Sequence, residues 1–251
     1  MARQKGIIKL KGTIGDITFL KTQDGYIAKE RTSLDGNRIK NDAAFQRTRE
    51  NNSEFGRGGK AGRKLRTAIR PLLLSASDSR MVSRLTQSMI QVLQTDTISD
   101  RGMRDVINGD LGLLTGFEFN LKGKLSGSLF VPFEGVIDRV AGTLSVDIAS
   151  FVPSQMLAVP QGTTHFKIVS GGVDLDFETG VFVTETSETA ILPWDITPTA
   201  VINHVNSVPA NSAHPLFLVL GIVFYQEVNG SMYPLKNGAF NPLSIVGVDT
   251  L

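Results

Sequence analysis

The chain has 251 residues, of which 41% are hydrophobic and 20% are charged, a composition typical of a soluble globular protein with one large domain or two small ones. It contains no cysteine, which excludes disulfides and thiolate metal sites and leaves the redox compartment undetermined. The net charge of +2 combines a basic front, with 17 Lys and Arg against 7 Asp and Glu in residues 1–70, and an acidic remainder, with 5 against 12 in residues 111–251.

The beginning of the chain is basic, but its apolar run of Ile7 and Ile8 ends at Lys9. That run is too short for the core of a signal peptide, and no apolar stretch approaches the roughly 20 residues that span a bilayer. The longest stretch, residues 216–225, contains β-branched and aromatic residues and predicts a buried strand. We therefore expect synthesis in the cytoplasm without Sec-type export, and no membrane span.

A β-hairpin is predicted near the beginning of the chain. Asp24-Gly25 is a strong turn signal, because a type I′ turn needs positive φ and glycine adopts it freely. It predicts a hairpin that joins residues 17–21 to residues 26–30. An isolated hairpin is only marginally stable in water, so we expect this one to pack on helices or to extend another sheet.

Residues 41–70 combine a helical period with a strong charge bias. At about 100° per residue, small and apolar residues fall on one side and most cations on the other. The predicted packing side consists of Phe55, Gly58, Gly62, Leu65, Ala68 and Ile69. The basic residues of the stretch are Arg47, Arg49, Arg57, Lys60, Arg63, Lys64, Arg66 and Arg70. This pattern predicts an amphipathic helix whose basic edge contacts a polyanion or another subunit.

The glycines of this stretch allow three interpretations. Four glycines within residues 56–62 would each cost a helix about 1 kcal/mol relative to alanine, so a close backbone contact at Gly58 and Gly62 must offset the loss. Alternatively, the helix ends before the glycines and resumes at Ala61. The spacing of Gly56, Gly58 and Ala61 also matches G-x-G-x-x-A, but that phosphate-binding motif needs a preceding buried strand. We favour the continuous helix with the close contact.

Two further helices are predicted after this one. Pro71 cannot continue the helical hydrogen-bond ladder, so a kink or stop is expected there. The second helix begins after Ser77 or Ser79, its candidate caps, and carries an apolar stripe at helical spacing. The stripe consists of Met81, Leu85, Met89, Val92 and Leu93. A third, short helix is predicted over residues 99–108, with Gly109 as its stop.

From Gly116 onwards, apolar residues alternate with polar ones, which predicts strands with one buried face. Residues 170–172, Ser-Gly-Gly, and residues 229–230, Asn-Gly, predict hairpin turns between them. About seven such strands indicate an antiparallel sandwich of immunoglobulin-like architecture. The predicted fold class is α+β, with a hairpin and basic helical module at residues 1–115 and a β-sandwich domain at residues 116–251.

Three stretches of the chain are considered together: MARQKGIIKLKGTIGD at residues 1–16, FQRTREN at residues 45–51 and YPLKNGA at residues 233–239. They resemble a family of uncharacterised proteins from Bacteroidetes-type genomes. The resemblance covers most of the chain and implies a bacterial or phage source. It implies no activity and no site residues.

Asp174, Asp176 and Glu178 are predicted to project from one side of a single strand. With Glu185 their spacing partly imitates a calcium loop, but Thr179 stands where that loop needs glycine. The better interpretation is a solvated strand face, which could also be an acidic surface that meets the basic helix of a neighbour.

The sequence offers no catalytic constellation. Its three histidines, His165, His204 and His214, form no H-x-x-x-H motif, and G-x-S-x-G is absent, so the usual signatures of zinc and nucleophile sites are missing. No metal, no other cofactor and no small-molecule substrate is indicated. We expect a protein that is not an enzyme.

Self-assembly is the leading functional hypothesis. Opposite charges in the two halves, a glycine-lined helix face and a hairpin too small to stand alone all favour contact between copies. The hypothesis is a structural protein, either a filament subunit or a phage-type virion component. The alternative is a nucleic-acid-binding accessory protein that uses the basic helix of residues 45–70. A carbohydrate- or ligand-binding sandwich is a third class, supported by fold analogy alone.

Overall fold

The computed structural model of the chain describes residues 1–31, 36–76 and 78–250. Ser77, one of the two candidate helix caps, lies outside the described residues. The chain divides into two compact units, Met1–Arg49 (the N-terminal unit) and Glu50–Leu251 (the C-terminal unit). The helices after residue 50 therefore belong to the same compact unit as the strands that follow them.

Strands and helices alternate in groups along the chain. The strands are β1 (Ala2–Arg3), β2 (Gly12–Ile14), β3 (Ile17–Thr22), β4 (Gly25–Glu30), β5 (Phe133–Asp138), β6 (Thr143–Ile148), β7 (His165–Leu175), β8 (Phe182–Glu188), β9 (Leu192–Pro193), β10 (Ile202–Ser207), β11 (Leu216–Val228), β12 (Ser231–Pro234) and β13 (Leu243–Asp249). The α-helices are α1 (Gly36–Asn41), α2 (Gln46–Ala68), α3 (Arg70–Leu73), α4 (Met81–Gln94) and α5 (Pro153–Met156).

The N-terminal unit is a four-stranded antiparallel sheet with the strand order β1-β4-β3-β2. The predicted hairpin is confirmed, since β3 pairs with β4 and Thr22 faces Gly25 across the turn. Gly25 has a φ of 108°, which explains why glycine follows Asp24 here. β1 and β2 extend the hairpin on either side and leave a sheet with two very short edge strands.

The C-terminal unit contains two antiparallel sheets. One has the order β10-β6-β5, and the other has the order β12-β11-β7-β8, with β13 also on β11 and β9 also on β7. The structure confirms a mixed helix and sheet fold with antiparallel sheets, one of which curls as a half-barrel. It does not confirm the immunoglobulin-like sandwich.

The larger sheet is buried on both faces. In β11, Phe217 and Val219 belong to one core and Leu218 and Leu220 to another. The first core is shared with helix residues such as Leu65, Ile69, Leu85 and Met89. The second core is shared with β6 residues, namely Leu144, Val146 and Ile148. A strand between two cores needs apolar residues at every position, which explains the uninterrupted apolar run of residues 216–225.

The predicted hairpin turn at residues 170–172 is wrong, because β7 runs straight through these residues. A Cβ on Gly171 would lie 2.6 Å from Leu72 Cδ1, and one on Gly172 would lie 2.8 Å from Asn206 Cβ. The two glycines therefore admit a helix residue on one face and a residue of the smaller sheet on the other. Close packing, not a turn, accounts for them. The turn at residues 229–230 is confirmed between β11 and β12.

The continuous helix is confirmed, since α2 passes through all four glycines and ends at Ala68, just before Pro71. A Cβ on Gly58 would lie 3.1 Å from Ile90 Cγ1, and Gly62 faces Leu85 and Met89. The glycine-lined face therefore packs on α4 of the same chain. Leu65 and Ile69 are buried with it, and of the predicted packing residues only Phe55, 61% exposed, lies outside this contact.

The second predicted helix is confirmed as α4, but the third, over residues 99–108, is wrong. This segment is an irregular loop held by the Asp96 carboxylate, which accepts hydrogen bonds from the amides of Ile98, Ser99 and Asp105. Aspartate competes for backbone amides that a helix would use. The apolar spacing of the segment thus reflects burial of a loop residue, Val106, and not a helical period.

Gly59→Ala is expected to raise the free energy of unfolding by about 0.5–1 kcal/mol, the difference in helix propensity between the two residues. No atom lies within 4 Å of a Cβ at this position, so nothing opposes the gain. Gly58→Leu should instead destabilise the protein, because its side chain must displace Ile90 and Leu93. Urea unfolding of both variants checks the pair, and a stabilising Gly58→Leu would contradict the packing described for α2 and α4.

Candidate assembly surfaces

The N-terminal unit forms a sheet but has no core. No described residue between Met1 and Arg49 is buried. Four isoleucines are openly exposed: Ile7 (103%), Ile8 (81%), Ile14 (64%) and Ile17 (47%). Backbone hydrogen bonds thus set the shape of this unit, while its apolar side chains are exposed or at most half-buried.

One glutamine fixes the segment that carries the two most exposed isoleucines. Gln4 Oε1 accepts a hydrogen bond from the Leu10 amide at 2.9 Å, and Gln4 Nε2 donates to the Ile27 carbonyl at 3.1 Å. Its own amide donates to the Tyr26 carbonyl. The loop of residues 5–10 is therefore tied to β4 through Gln4, whose carbonyl also accepts a hydrogen bond from Lys9, and its isoleucines are exposed.

The two units carry opposite charge. Residues 1–49 contain 11 Lys and Arg against 5 Asp and Glu, and residues 50–251 contain 15 against 19. The formal charges are thus +6 and −4. The basic residues of the N-terminal unit include Arg3, Lys5 and Lys29, all of them exposed. This unit therefore presents cations and apolar side chains together.

The basic edge of α2 is only partly free. Four of its cations donate to groups in their own unit, and these are Arg49, Arg57, Lys64 and Arg66. Lys64, for example, reaches the carbonyls of Phe177 and Glu178 at 2.7 and 2.9 Å. The side chains of the other four, namely Arg47, Lys60, Arg63 and Arg70, are exposed and bond to no other described residue. Only this second group is available to an external anion.

The structure separates the three carboxylates that were expected to share a strand face. Asp174 is 3% exposed within β7, and its Oδ1 lies 2.8 Å from His214 Nδ1. Asp176 closes the next turn, where hydrogen bonds from the Thr179 hydroxyl and from the amides of Glu178 and Thr179 lower its pKa. Glu178 is exposed, and its carboxylate bonds to no described residue. Of the three, Glu178 alone is free to contact a partner.

β8 forms an exposed, acidic edge of the larger sheet. Phe182 and Val183 are 40% and 42% exposed, and Val181, just before the strand, is 65% exposed. Glu185 is exposed and bonds to no described residue, whereas Glu188 forms an ion pair with Lys167 at 2.9 Å. The strand thus combines apolar side chains with uncompensated negative charge.

A cavity of about 460 Å³ opens beside β8, lined in part by Leu72, Val169 and Tyr225. Its only charged lining residues in the described chain are Lys167 and Glu188. Burial would lower the pKa of Lys167, but the hydrogen bond to Glu188 and the proximity of Tyr225 outweigh that effect and raise the pKa. The ammonium and the carboxylate neutralise each other, so the cavity offers no free charge to a ligand.

Sequence reasoning missed two histidine pairs. His214 meets Asp174 from 40 residues away, and His204 Nδ1 lies 3.0 Å from Ser170 Oγ, 34 residues away. Asn206 also donates to Ser170 Oγ, so the hydroxyl links both side chains of β10 to β7. Burial lowers the pKa of His204, which favours the neutral imidazole. Both pairs join residues that are far apart in the chain, and no local motif signals them.

Stability is expected to fall as the pH drops from about 4 to 2. Burial alone would raise the pKa of Asp96, but hydrogen bonds from Ser99, Ile98 and Asp105 lower it from 3.8 to about 2. A carboxyl whose pKa is lower in the folded state stabilises the protein above its unfolded pKa, and that contribution is lost as the pH falls through the folded value. Thermal unfolding across this range provides the measurement.

The matched variant is Asp96→Asn, which cannot accept all three amides. It should be less stable than the natural protein by about 1–3 kcal/mol at pH 7, and the difference should shrink towards pH 2. Asp100→Asn, at an exposed position, serves as the control. A gap between Asp96→Asn and the natural protein that stays constant with pH would contradict the assignment.

No helix in the described part of the chain is both long and apolar enough to cross a membrane. No group of three or more His, Asp or Glu side chains among the described residues is arranged to hold a metal ion. A scan against protein-family models, a search of curated proteins and a search of solved structures each returned no match.

Proposed function

We propose that this protein is a non-enzymatic structural subunit that assembles with copies of itself, as a filament subunit or a phage-type virion component. The observation that carries the proposal is the N-terminal unit, in which no described residue is buried. A four-stranded sheet needs an apolar face packed against something to be stable. Association between copies would provide that packing.

The apolar residues of this unit give the association its driving force. Each isoleucine that passes from full exposure to burial contributes about 1.5–3 kcal/mol. The positive charge of the N-terminal unit and the negative charge of the C-terminal unit add long-range attraction between different copies. The glycine-lined face of α2 plays no part, because α4 already covers it.

Sedimentation velocity and light scattering over a concentration series test this function on the full chain. The average mass should rise with concentration and fall as salt is added, because ions screen the attraction between units. Electron microscopy of the largest species should show a repeating assembly. A single species with the mass of one chain, at all concentrations and in both low and high salt, would rule the proposal out.

The second candidate function is polyanion binding by the basic edge of α2. Four exposed cations without partners in the described chain favour it: Arg47, Lys60, Arg63 and Arg70. When binding depends on phosphate contacts, the logarithm of the binding constant falls linearly with the logarithm of the salt concentration. Duplex DNA and single-stranded RNA should therefore bind at low salt, and the double variant Lys60→Glu/Arg63→Glu should reduce both the affinity and the salt slope. Unchanged binding by that variant would exclude this edge.

A further inference from the structure

We infer that the open edge of β8 is the receptor for the N-terminal sheet of a second copy, which docks through its β2 edge. The inference rests on the proposed self-assembly and identifies the two surfaces that meet. The contact is a strand addition, in which the β2 edge of one copy continues the larger sheet of the next.

The backbone of β8 is unpaired on its outer side. Its ladder to β7 runs from Val169 opposite Glu188 to Leu175 opposite Phe182. Apart from this ladder, no backbone amide or carbonyl of residues 182–188 bonds to another described residue. Edge strands are usually protected by lysine, proline or a bulge, and β8 contains none of these. Ser187 Oγ donates to the Val205 carbonyl of β10 at 2.9 Å, so the end of β8 lies beside β10. The open part of the edge, residues 182–186 with Phe182 and Val183 on it, is a template for another strand.

The β2 edge matches this template. Apart from the ladder to β3, no backbone group of residues 12–14 bonds to another described residue. Ile14 is 64% exposed and Leu10 is 42% exposed, so both can pack on the apolar side chains of β8. Lys11, directly before β2, is exposed and has no partner in the described chain.

Charge selects this pairing over the alternatives. Residues 168–235 contain seven Asp and Glu and no Lys or Arg. Two β8 edges would bring their Glu185 carboxylates together, and two β2 edges would bring their lysines together, so like charges oppose both symmetric contacts. Contact between β2 and β8 pairs opposite charges and is thereby favoured.

The contact is therefore heterologous, since a surface of the N-terminal unit meets a different surface of the C-terminal unit. In every pair of copies, one β2 edge and one β8 edge therefore remain unused. They continue into a ring if the rotation closes and into a filament if it does not.

A complementation experiment tests this pairing. The receptor variant Val183→Lys/Glu185→Lys and the donor variant Lys11→Glu/Ile14→Glu should each raise the apparent dissociation constant about tenfold or more, since each places like charges across the contact. Both sites are exposed, so thermal unfolding should match the natural protein. Mixed in equal amounts, the two variants should associate again, because the intact β2 edge of the receptor variant meets the intact β8 edge of the donor variant and the two altered surfaces carry opposite charges.

The double variant Glu134→Lys/Val136→Lys provides the control, since it makes the same change of +3 in charge at exposed positions of another edge strand, β5, and should leave assembly unchanged. If the natural protein assembles and the receptor variant assembles equally well, β8 is not the receptor, while the proposed function stands. Equal loss in the control and the receptor variant would also overturn the inference, as would a mixture that stays monomeric. A natural protein that never assembles would overturn both proposals.

Discussion

The double variant Ile14→Thr/Ile17→Thr is expected to weaken self-association by a factor of about 10–10² while leaving the monomer folded. The two side chains face each other across the turn between β2 and β3, and both are substantially exposed in the single chain. Threonine keeps the β-branched shape but has less apolar surface. Each substitution removes about two methylene groups of apolar surface, at about 0.8 kcal/mol for each group that becomes buried. The pair therefore loses about 1.5–3 kcal/mol of association energy, which corresponds to that factor.

Sedimentation equilibrium of the double variant provides the measurement, with the unfolding midpoint recorded in parallel. The matched control is Ile196→Thr, an isoleucine of the C-terminal unit that is 79% exposed and lies on neither proposed surface. It should associate like the natural protein. Equal association constants for the natural protein and the double variant would show that the exposed isoleucines of the N-terminal sheet do not drive assembly.

Local sequence patterns predicted an element correctly where the backbone preference of a single residue was enough to define it. Asp24-Gly25 predicted a hairpin because glycine readily adopts the positive φ of the turn. Pro71 predicted the end of α2 because proline has no backbone N–H to donate. The same reasoning failed at Gly171 and Gly172. There the glycines leave room for Leu72 and Asn206. These two residues come from distant parts of the chain, so the local sequence around the glycines does not predict them.

The candidate site shows the same limit. The helical period correctly identified the buried side of α2, but the period cannot say what covers that side, and α4 proved to be the partner. The strand pattern placed Asp174 with Asp176 and Glu178, yet Asp174 is buried in β7 and its carboxylate is paired with His214, 40 residues away. Long-range partners decide whether a charge is available, so sequence alone overestimated both the basic edge and the acidic face.

The assembly hypothesis consequently rests on different residues after the structure than before it. The glycine-lined helix face no longer supports it, and half of the predicted basic edge is engaged within its own unit. What remains are features that the chain leaves unsatisfied, namely the exposed isoleucines of the N-terminal unit and the unpaired edges of β2 and β8. These features point to contact between sheets, in place of the helix contact that the sequence suggested.

Arg139→Met is expected to destabilise the C-terminal unit by about 3 kcal/mol, which is the largest stability effect we expect from a single substitution. The guanidinium donates to the carbonyls of Ser212 and His214 at 2.6 and 2.8 Å. It also donates to the Asp249 carboxylate at 2.8 Å and to the Asp249 carbonyl at 3.0 Å. Methionine fills the space but leaves a carboxylate and three carbonyls without their donor, and unpaired buried polar groups are costly.

Thermal unfolding should show this loss as a midpoint about 6–12 °C lower, the shift that such a free-energy change produces in a chain of this size. Arg139→Lys should recover only part of it, because an ammonium cannot reproduce the planar fork that reaches three residues. Arg63→Met is the control, since Arg63 is exposed and its loss should change stability by no more than about 0.5 kcal/mol. If Arg139→Met unfolds at the same midpoint as Arg63→Met, the guanidinium does not hold the loop that carries His214 against the last strand.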